Sequence, residues 1–348
     1  MKTVFIDGSA GTTGLKIHDR LSERKDIKLN ILPEKKRKDP TARYEALRDA
    51  DIAFLCLPDE AATQAANWCA EEDTVIIDTS TAHRTTPGWV YGFPELATAD
   101  ELASIIVSSP EATGPMASVA PGGRMHKAIS HAKRIANPGC HATGFIALIS
   151  PLVQTGLLKR DAQLTCMSLT GYTGGGKSMI EDYENNDYPS PRVYGLEQAH
   201  KHLPEMQMLT GLRRAPIMIP VVADYEQGME VTVPLFADQL DLECPFLKHA
   251  GIVGAGSKPT VIDAVSAIYW QAYRGPVVRY EEHPDESGFM AADKLAWRDG
   301  MEISVKGNEE RILLIARFDN LGKGACGAAI QNMNLVLGCD ETEGLKLS

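Results

Sequence analysis

Asn137-Pro138-Gly139-Cys140 runs directly into His141-Ala142-Thr143-Gly144 and the apolar stretch Phe145-Ile146-Ala147-Leu148-Ile149. A Pro-Gly turn that delivers a cysteine to the start of a helix sets the sulfur among free backbone N–H groups, at the positive end of the helix dipole. Both favour the thiolate, the nucleophilic form, so Cys140 is expected to be an activated nucleophile with a lowered pKa. Proton transfer at neutral pH calls for histidine, and His200-Lys201-His202-Leu203-Pro204-Glu205 supplies two. An extended segment would aim His200 and His202 the same way, Pro204 favours an extended Leu203, and Glu205 is placed to orient an imidazole. The choice between the two histidines stays open. The segment offers no obvious third ligand, so no metal is expected.

Gly8-Ser9-Ala10-Gly11-Thr12-Thr13-Gly14 fits a G-x-x-G-x-x-G pattern after a strand and at the opening of a helix. Glycines there let the chain turn tightly against a pyrophosphate held at the helix N-terminus. Gly8, Ser9, Gly11, Thr12, Thr13 and Gly14 are therefore expected to bind a dinucleotide. Glu34 stands where an acid would take the ribose hydroxyl of NAD, but Lys35-Lys36-Arg37-Lys38 follows at once. Cations in this window accommodate a 2′-phosphate, so Arg37 and Lys38 point to NADP(H). Gly171 to Lys177 lacks Walker spacing, yet Gly174 and Lys177 are placed to hold an acyl phosphate. Arg84, past the fourth strand, is placed to pair with a carboxylate or phosphate. A nucleophilic cysteine beside a nicotinamide implies a thioester followed by hydride transfer.

These residues need a scaffold. The first third alternates strand and helix: strands at Thr3–Asp7, Lys28–Leu32, Ile52–Leu57 and Thr74–Asp78, and helices at Thr12–Arg24, Thr41–Arg48 and Asp59–Glu71. The pattern predicts an α/β Rossmann-type, doubly wound parallel sheet. After Cys140, strands at Leu164–Thr170, Met229–Phe236 and Arg311–Phe318 and a helix at Thr260–Arg274 predict an α+β domain with a mixed or antiparallel sheet. A last helix, Gly324–Leu337, carries Ala325, Ala328, Ala329, Met333 and Leu337 on one face. The chain has 348 residues, ample for two domains. A net charge of −11 argues against a nucleic-acid footprint. Scattered, odd-numbered cysteines argue against a disulfide framework. No apolar run approaches the ~20 residues of a membrane span. The N-terminus reads straight into a strand, so a cytoplasmic chain is expected.

Phe5-Ile6-Asp7-Gly8 through Gly14, Arg37-Lys38-Asp39, Tyr91-Gly92-Phe93-Pro94-Glu95-Leu96, Asn137–Cys140, Gly171–Lys177, His200–Glu205 and Asp319-Asn320-Leu321-Gly322-Lys323-Gly324 run over nearly the whole chain. Together they resemble the short-form N-acetyl-gamma-glutamyl-phosphate reductases, NADPH-dependent enzymes of arginine biosynthesis related in plan to aspartate-semialdehyde dehydrogenase. The resemblance implies that Cys140 forms the thioester, and that the acid/base is His200 or His202 with Glu205 nearby. It implies a small acyl-phosphate substrate, a homo-oligomer (dimer or tetramer), and a division into an NADP-binding unit of residues 1–139 plus 319–348 and a catalytic and oligomerisation unit of residues 140–318. Two departures stand out. The stretch from about residue 99 to 126 is longer than expected, and His141 replaces an aromatic. Rival readings are another acyl phosphate (aspartyl or carrier-linked aminoadipyl) and a non-catalytic NADP-binding scaffold.

Overall fold

The computed structural model describes residues 1–98, 100–102, 123–249 and 259–347. Most of the unusually long stretch after Glu95-Leu96 therefore lies outside the described residues. Strands β1 (Lys2–Asp7), β2 (Ile27–Asn30), β3 (Ile52–Leu55), β4 (Val75–Asp78), β5 (Val90–Tyr91) and β6 (Arg134–Ala136) form one sheet in the order β2-β1-β3-β4-β6-β5. Every pairing is parallel. Side chains alternate across the pleat and give the sheet two buried faces. Val4 and Ile6 face helices α1 (Thr12–Leu21) and α4 (Arg124–Ser130), whereas Phe5 faces α2 (Pro40–Arg48) and α3 (Asp59–Trp68). The direction of winding reverses between β1 and β3, which opens a crevice at their carboxyl ends.

The predicted strands and helices of this region are present, but two helices and two strands stop earlier than the sequence suggests. Helix α1 ends at Leu21 and α3 at Trp68, while β2 ends at Asn30 and β3 at Leu55. Helix α2 begins one residue earlier than expected, at Pro40, because Asp39 caps the N–H groups of Thr41 and Ala42 while proline takes the first position.

The second sheet is mixed: β7 (Thr165–Gly171), β8 (Arg192–Val193), β9 (Ile217–Ala223), β10 (Met229–Phe236), β11 (Val278–Tyr280), β12 (Met301–Gly307) and β13 (Arg311–Phe318), in the order β11-β12-β13-β10-β7-β9-β8. Helix α5 (Cys140–Gln154) packs on β10 and β13 and is buried continuously from His141 to Val153. It forms the spine of the second core with Val231, Val233, Leu314 and Phe318. Between β7 and β9 lie helices α6 (Lys177–Asn185) and α7 (Leu203–Thr210), and α8 (Val261–Ala272) packs against α5 and β12.

The chain then returns to the first sheet. A five-residue π-helical turn, Gly322–Cys326, leads into α9 (Gly327–Leu337), whose Ala329, Ile330 and Met333 join the core beneath β1 and β3. The expected one-sided helix is corrected here: residues 327–334 are buried all round, polar ones included. Gln331, Asn332 and Asn334 are tolerated inside because each is hydrogen-bonded, for example Asn332 Nδ2 to Gly92 O at 3.0 Å. No helix among the described residues is long and apolar enough to cross a membrane.

Candidate active site

Two cavities meet at the boundary of the two sheets. The first, of about 350 Å3, is bordered by Gly11, Thr12, Thr13 and Gly14 and by Leu57, Pro58 and Thr79–Thr81 at the ends of β3 and β4. Gly8 supports it with φ +88°, and a side chain there would strike the carbonyl of Cys56. A side chain at Gly14 would likewise strike the Gly8 carbonyl, so the strand–turn–helix is closed as tightly as backbone permits. Helix α1 has Gly11 at its N-cap and no capping side chain. Its first-turn N–H groups therefore await an anion. Ser9 is buried beneath the turn. Arg37 and Lys38 stand exposed just beyond β2 and make no ion pair among the described residues. The glycine turn and the uncapped helix fit a dinucleotide; Arg37 and Lys38 are not among the residues that border this cavity.

The second cavity, of about 290 Å3, is lined by Arg84, Cys140, His141, Gly174, Tyr194, His200, Lys201, His202 and Asn320, among others. Thr13 and Lys201 border both cavities, which places the nucleotide groove beside the cysteine. Cys140 is the first residue of α5, with Gly139 as an extended N-cap. Gly324, in the π-helical turn, packs so closely on Cys140 that a side chain there would touch its Cβ.

Opposing influences act on the Cys140 thiol, which is half-buried on the cavity wall. Burial pushes the thiol up, although the Arg84 guanidinium, the backbone N–H of His141 and the Lys201 ammonium pull it down. The three imidazoles are held neutral. Burial pushes His202 well down, aided by Arg84, His141 and His200, and it lowers His200 with help from Lys201 and Arg84. His141 is pushed down to about 3, mainly by burial. In the free protein the site thus holds a protonated thiol beside neutral imidazoles rather than a stored thiolate.

His200 and His202 do come together, with ring centroids 4.7 Å apart, but not through an extended segment. Residues 201–202 form a turn and Leu203 already begins α7, because Pro204 suits the first helical turn, where its missing N–H would have no partner. His200 Nδ1 accepts the backbone N–H of His202 at 3.2 Å, so the neutral ring carries its proton on Nε2. His202 Nδ1 is buried without a hydrogen-bond partner among the described residues. The turn also brings Lys201 to the cleft, whereas strict alternation would have turned it away.

A further expectation is corrected. Glu205 does not orient an imidazole: its Oε1 accepts from Arg84 Nη1 at 2.8 Å, and its Oε2 accepts from Tyr91 Oη at 2.6 Å and Gly139 N at 3.2 Å. Arg84 is correspondingly engaged through three of its N–H groups, its Nε on Asn137 O at 2.9 Å and its Nη2 on Thr79 O at 3.1 Å, and it borders both cavities. This buried pair fixes the turn that carries Cys140, with Arg84 pulling the thiol pKa down and Glu205 pushing it up. Of the second glycine loop, Gly174 borders the Cys140 cavity, while Lys177, at the head of α6, borders the nucleotide groove.

His141 departs from the expected aromatic in a useful way. It is buried, and its Nδ1 lies 2.6 Å from Ser168 Oγ while its Nε2 lies 2.7 Å from Tyr194 Oη. Sequence reading missed Tyr91, Ser168 and Tyr194 because no local pattern links them to Cys140. Tyr91 sits in the Tyr91–Leu96 segment already quoted for the resemblance, which was the only signal for it.

Residues 3–105 match the family described as "Semialdehyde dehydrogenase, NAD binding domain", and residues 140–320 match "Semialdehyde dehydrogenase, dimerisation domain". N-acetyl-gamma-glutamyl-phosphate reductase of Chelativorans sp. (strain BNC1) is 42% identical over 346 residues, covering 96% of this chain and 97% of the relative. The reductase of the same name from Burkholderia lata is 40% identical over 97% of this chain and 96% of its own length. Among solved structures, aspartate semialdehyde dehydrogenase II of Vibrio cholerae, complexed with ASA, superposes with a TM-score of 0.63 over 97% of this chain and 98% of its own, at 15% identity. The Candida albicans aspartate semialdehyde dehydrogenase with NADP gives 0.60 over 97% and 99%, at 12% identity. At such identities the likeness is one of fold.

Proposed function

The chain belongs to the N-acetyl-gamma-glutamyl-phosphate reductase family of semialdehyde dehydrogenases, and we propose that it reduces N-acetyl-gamma-glutamyl phosphate to N-acetylglutamate 5-semialdehyde with release of phosphate, a step of arginine biosynthesis. The observation that carries this reading is the meeting of Cys140, the histidine pair and the glycine-loop groove at one boundary.

Gly8–Gly14 would hold the pyrophosphate of the cofactor, with Arg37 and Lys38 toward a 2′-phosphate, which favours NADP(H). NADPH, when bound, supplies the hydride that reduces the acyl carbon carried on Cys140. The Cys140 sulfur attacks the acyl carbon: an S–C bond forms, the C–O bond to phosphate breaks, and the thiol proton leaves through a neutral imidazole with the phosphate. N–H groups at the start of α5 offset the charge on the carbonyl oxygen. An imidazole of the His200–His202 pair, resupplied with a proton from solvent, would protonate the oxygen after reduction. That proton returns to sulfur as the C–S bond breaks, and the aldehyde departs. Arg84, Lys201 and Lys177 give the cleft the positive potential that an anionic substrate needs.

The test is phosphate-dependent oxidation of N-acetylglutamate semialdehyde, followed through reduced-cofactor absorbance with NADP and NAD in parallel. Activity that requires phosphate and favours NADP is expected. Activity only with aspartate semialdehyde or a carrier-linked substrate would replace the substrate assignment.

Self-association fits the second sheet, where Met167, Ile217, Phe236 and Leu313 leave an apolar face exposed. A dimer through this face, in the cytoplasm, is the arrangement we favour over a tetramer. The units follow the chain's path: residues 1–139 with 319–348, and 140–318.

A further inference from the structure

Resting on the reading of Cys140 as the acyl-carrying nucleophile, we propose that Tyr194 is a substrate-contacting hydrogen-bond donor, its hydroxyl aimed at the oxygen of the Cys140-bound acyl group by a His141–Ser168 relay. Tyr194 lines the Cys140 cavity, and its oxygen meets His141 Nε2 at 2.7 Å. Which group donates follows from Ser168. That serine lies wholly buried on β7, and His141 Nδ1, 2.6 Å away, is its only hydrogen-bond partner among the described residues.

If Tyr194 donated to Nε2, then Nδ1 would carry the ring proton and donate to Ser168. The serine hydrogen would then be buried with no acceptor, which is costly. In the opposite tautomer every group is satisfied. Ser168 donates to Nδ1, Nε2–H donates to Tyr194 Oη, and the phenolic hydrogen is left for the cavity. His141 stays neutral, as this relay requires, because burial depresses its pKa. Burial and the nearby Cys140 raise the Tyr194 pKa, so the phenol keeps its proton.

Other side-chain donors on the cavity wall are partly engaged: Arg84 by Glu205, Asn137 and Thr79, and the Asn320 amide by Thr173 at 3.0 Å. Tyr194, the Nε2–H of His200 and Lys201 are donors on this wall that no protein group takes up among the described residues. Tyr194 is held through the residue covalently next to Cys140, so its hydroxyl keeps station with the sulfur. His141 and Ser168 are positioning residues; Tyr194 alone reaches the substrate.

Two measurements test this. In the phosphate-dependent oxidation, Tyr194→Phe should lose about 100-fold in kcat, the usual cost of one oxyanion donor, with KM little changed. Ser168→Ala should lose less, and the double variant should be no slower than Tyr194→Phe. An unchanged kcat in Tyr194→Phe, or losses that multiply in the double variant, would overturn the relay. Independently of any substrate, 15N NMR of the intact protein should show His141, identified by the signal lost in His141→Phe, protonated at Nε2 and bare at Nδ1. The reverse tautomer would sink the proposal. A wild-type chain inactive on N-acetylglutamate semialdehyde would count against the assigned reaction, while the NMR result would still decide the relay.

Discussion

The two cavities that meet at Thr13 and Lys201 treat polar groups in opposite ways. On the nucleotide side they stand open: α1 is uncapped, and Arg37 and Lys38 make no ion pair among the described residues. On the reaction side they are mostly paired before any substrate arrives. Arg84, Glu205, Tyr91 and Gly139 satisfy one another, as do His141, Ser168 and Tyr194. The difference follows from what each side must do. A cofactor that comes and goes is recognised by donors waiting for it. Bond-making needs groups that do not reorganise during the reaction, and saturation in a buried site fixes them.

The comparison breaks most visibly at the sulfur. Cys140→Ser should lower turnover by roughly 10³-fold or more while NADPH affinity, measured by fluorescence titration, is retained. Near-normal turnover would remove Cys140 from the chemistry. Next comes the paired network. Glu205→Ala leaves the Arg84 guanidinium buried without its counter-ion, and such a loss costs about 3–5 kcal/mol, readable as a fall in the denaturation midpoint. A change within error would mean that the Cys140 turn is held by something else.

On the open side the effects are smaller. Gly8→Ala forces a side chain into a φ of +88° and against Cys56, a strain of about 1–3 kcal/mol. Weaker NADPH binding and a lower midpoint are expected together; weaker binding alone would mean that the turn adjusts without strain. Arg37→Ala with Lys38→Ala should cut the preference for NADP over NAD by about tenfold, most clearly at low salt. An unchanged preference would place the 2′-phosphate elsewhere. The smallest signal is one of pH. Burial raises the Cys140 thiol above its ordinary value, so in the free protein its alkylation by iodoacetamide should still be accelerating at pH values where an ordinary cysteine has levelled off. A plateau near neutrality would restore the thiolate expected from the helix start alone.

The same contrast governs what was legible in the sequence. The nucleotide side is local: a strand, a glycine turn and a helix within the first 21 residues, with the cations of the next turn close behind. Short-range rules of spacing and backbone freedom suffice there. Cys140 was legible for the same reason, as was the proximity of two histidines two residues apart. What the reaction side does with them was not. Glu205 reaches Arg84 across 121 residues and Tyr91 across 114. A carboxylate near two histidines reads locally as their partner, and only the packing of α7 on α5 shows that it serves an arginine instead. The desolvation acting on Cys140 is hidden on similar grounds. The helix terminus is written in the sequence, whereas the burial that opposes it comes from residues as distant as Gly324. Helix α9 looked one-sided because Gln331, Asn332 and Asn334 have their partners on other segments of the chain.

The central claim is that an acyl group is carried on Cys140. Intact-protein and peptide mass measurement after brief incubation with N-acetyl-gamma-glutamyl phosphate, without cofactor, tests it most directly. One N-acetylglutamyl group on the peptide that contains Cys140, lost again when NADPH is added, is the predicted result. A chain that turns over this substrate yet carries no such group, or carries it on another residue, would contradict the account.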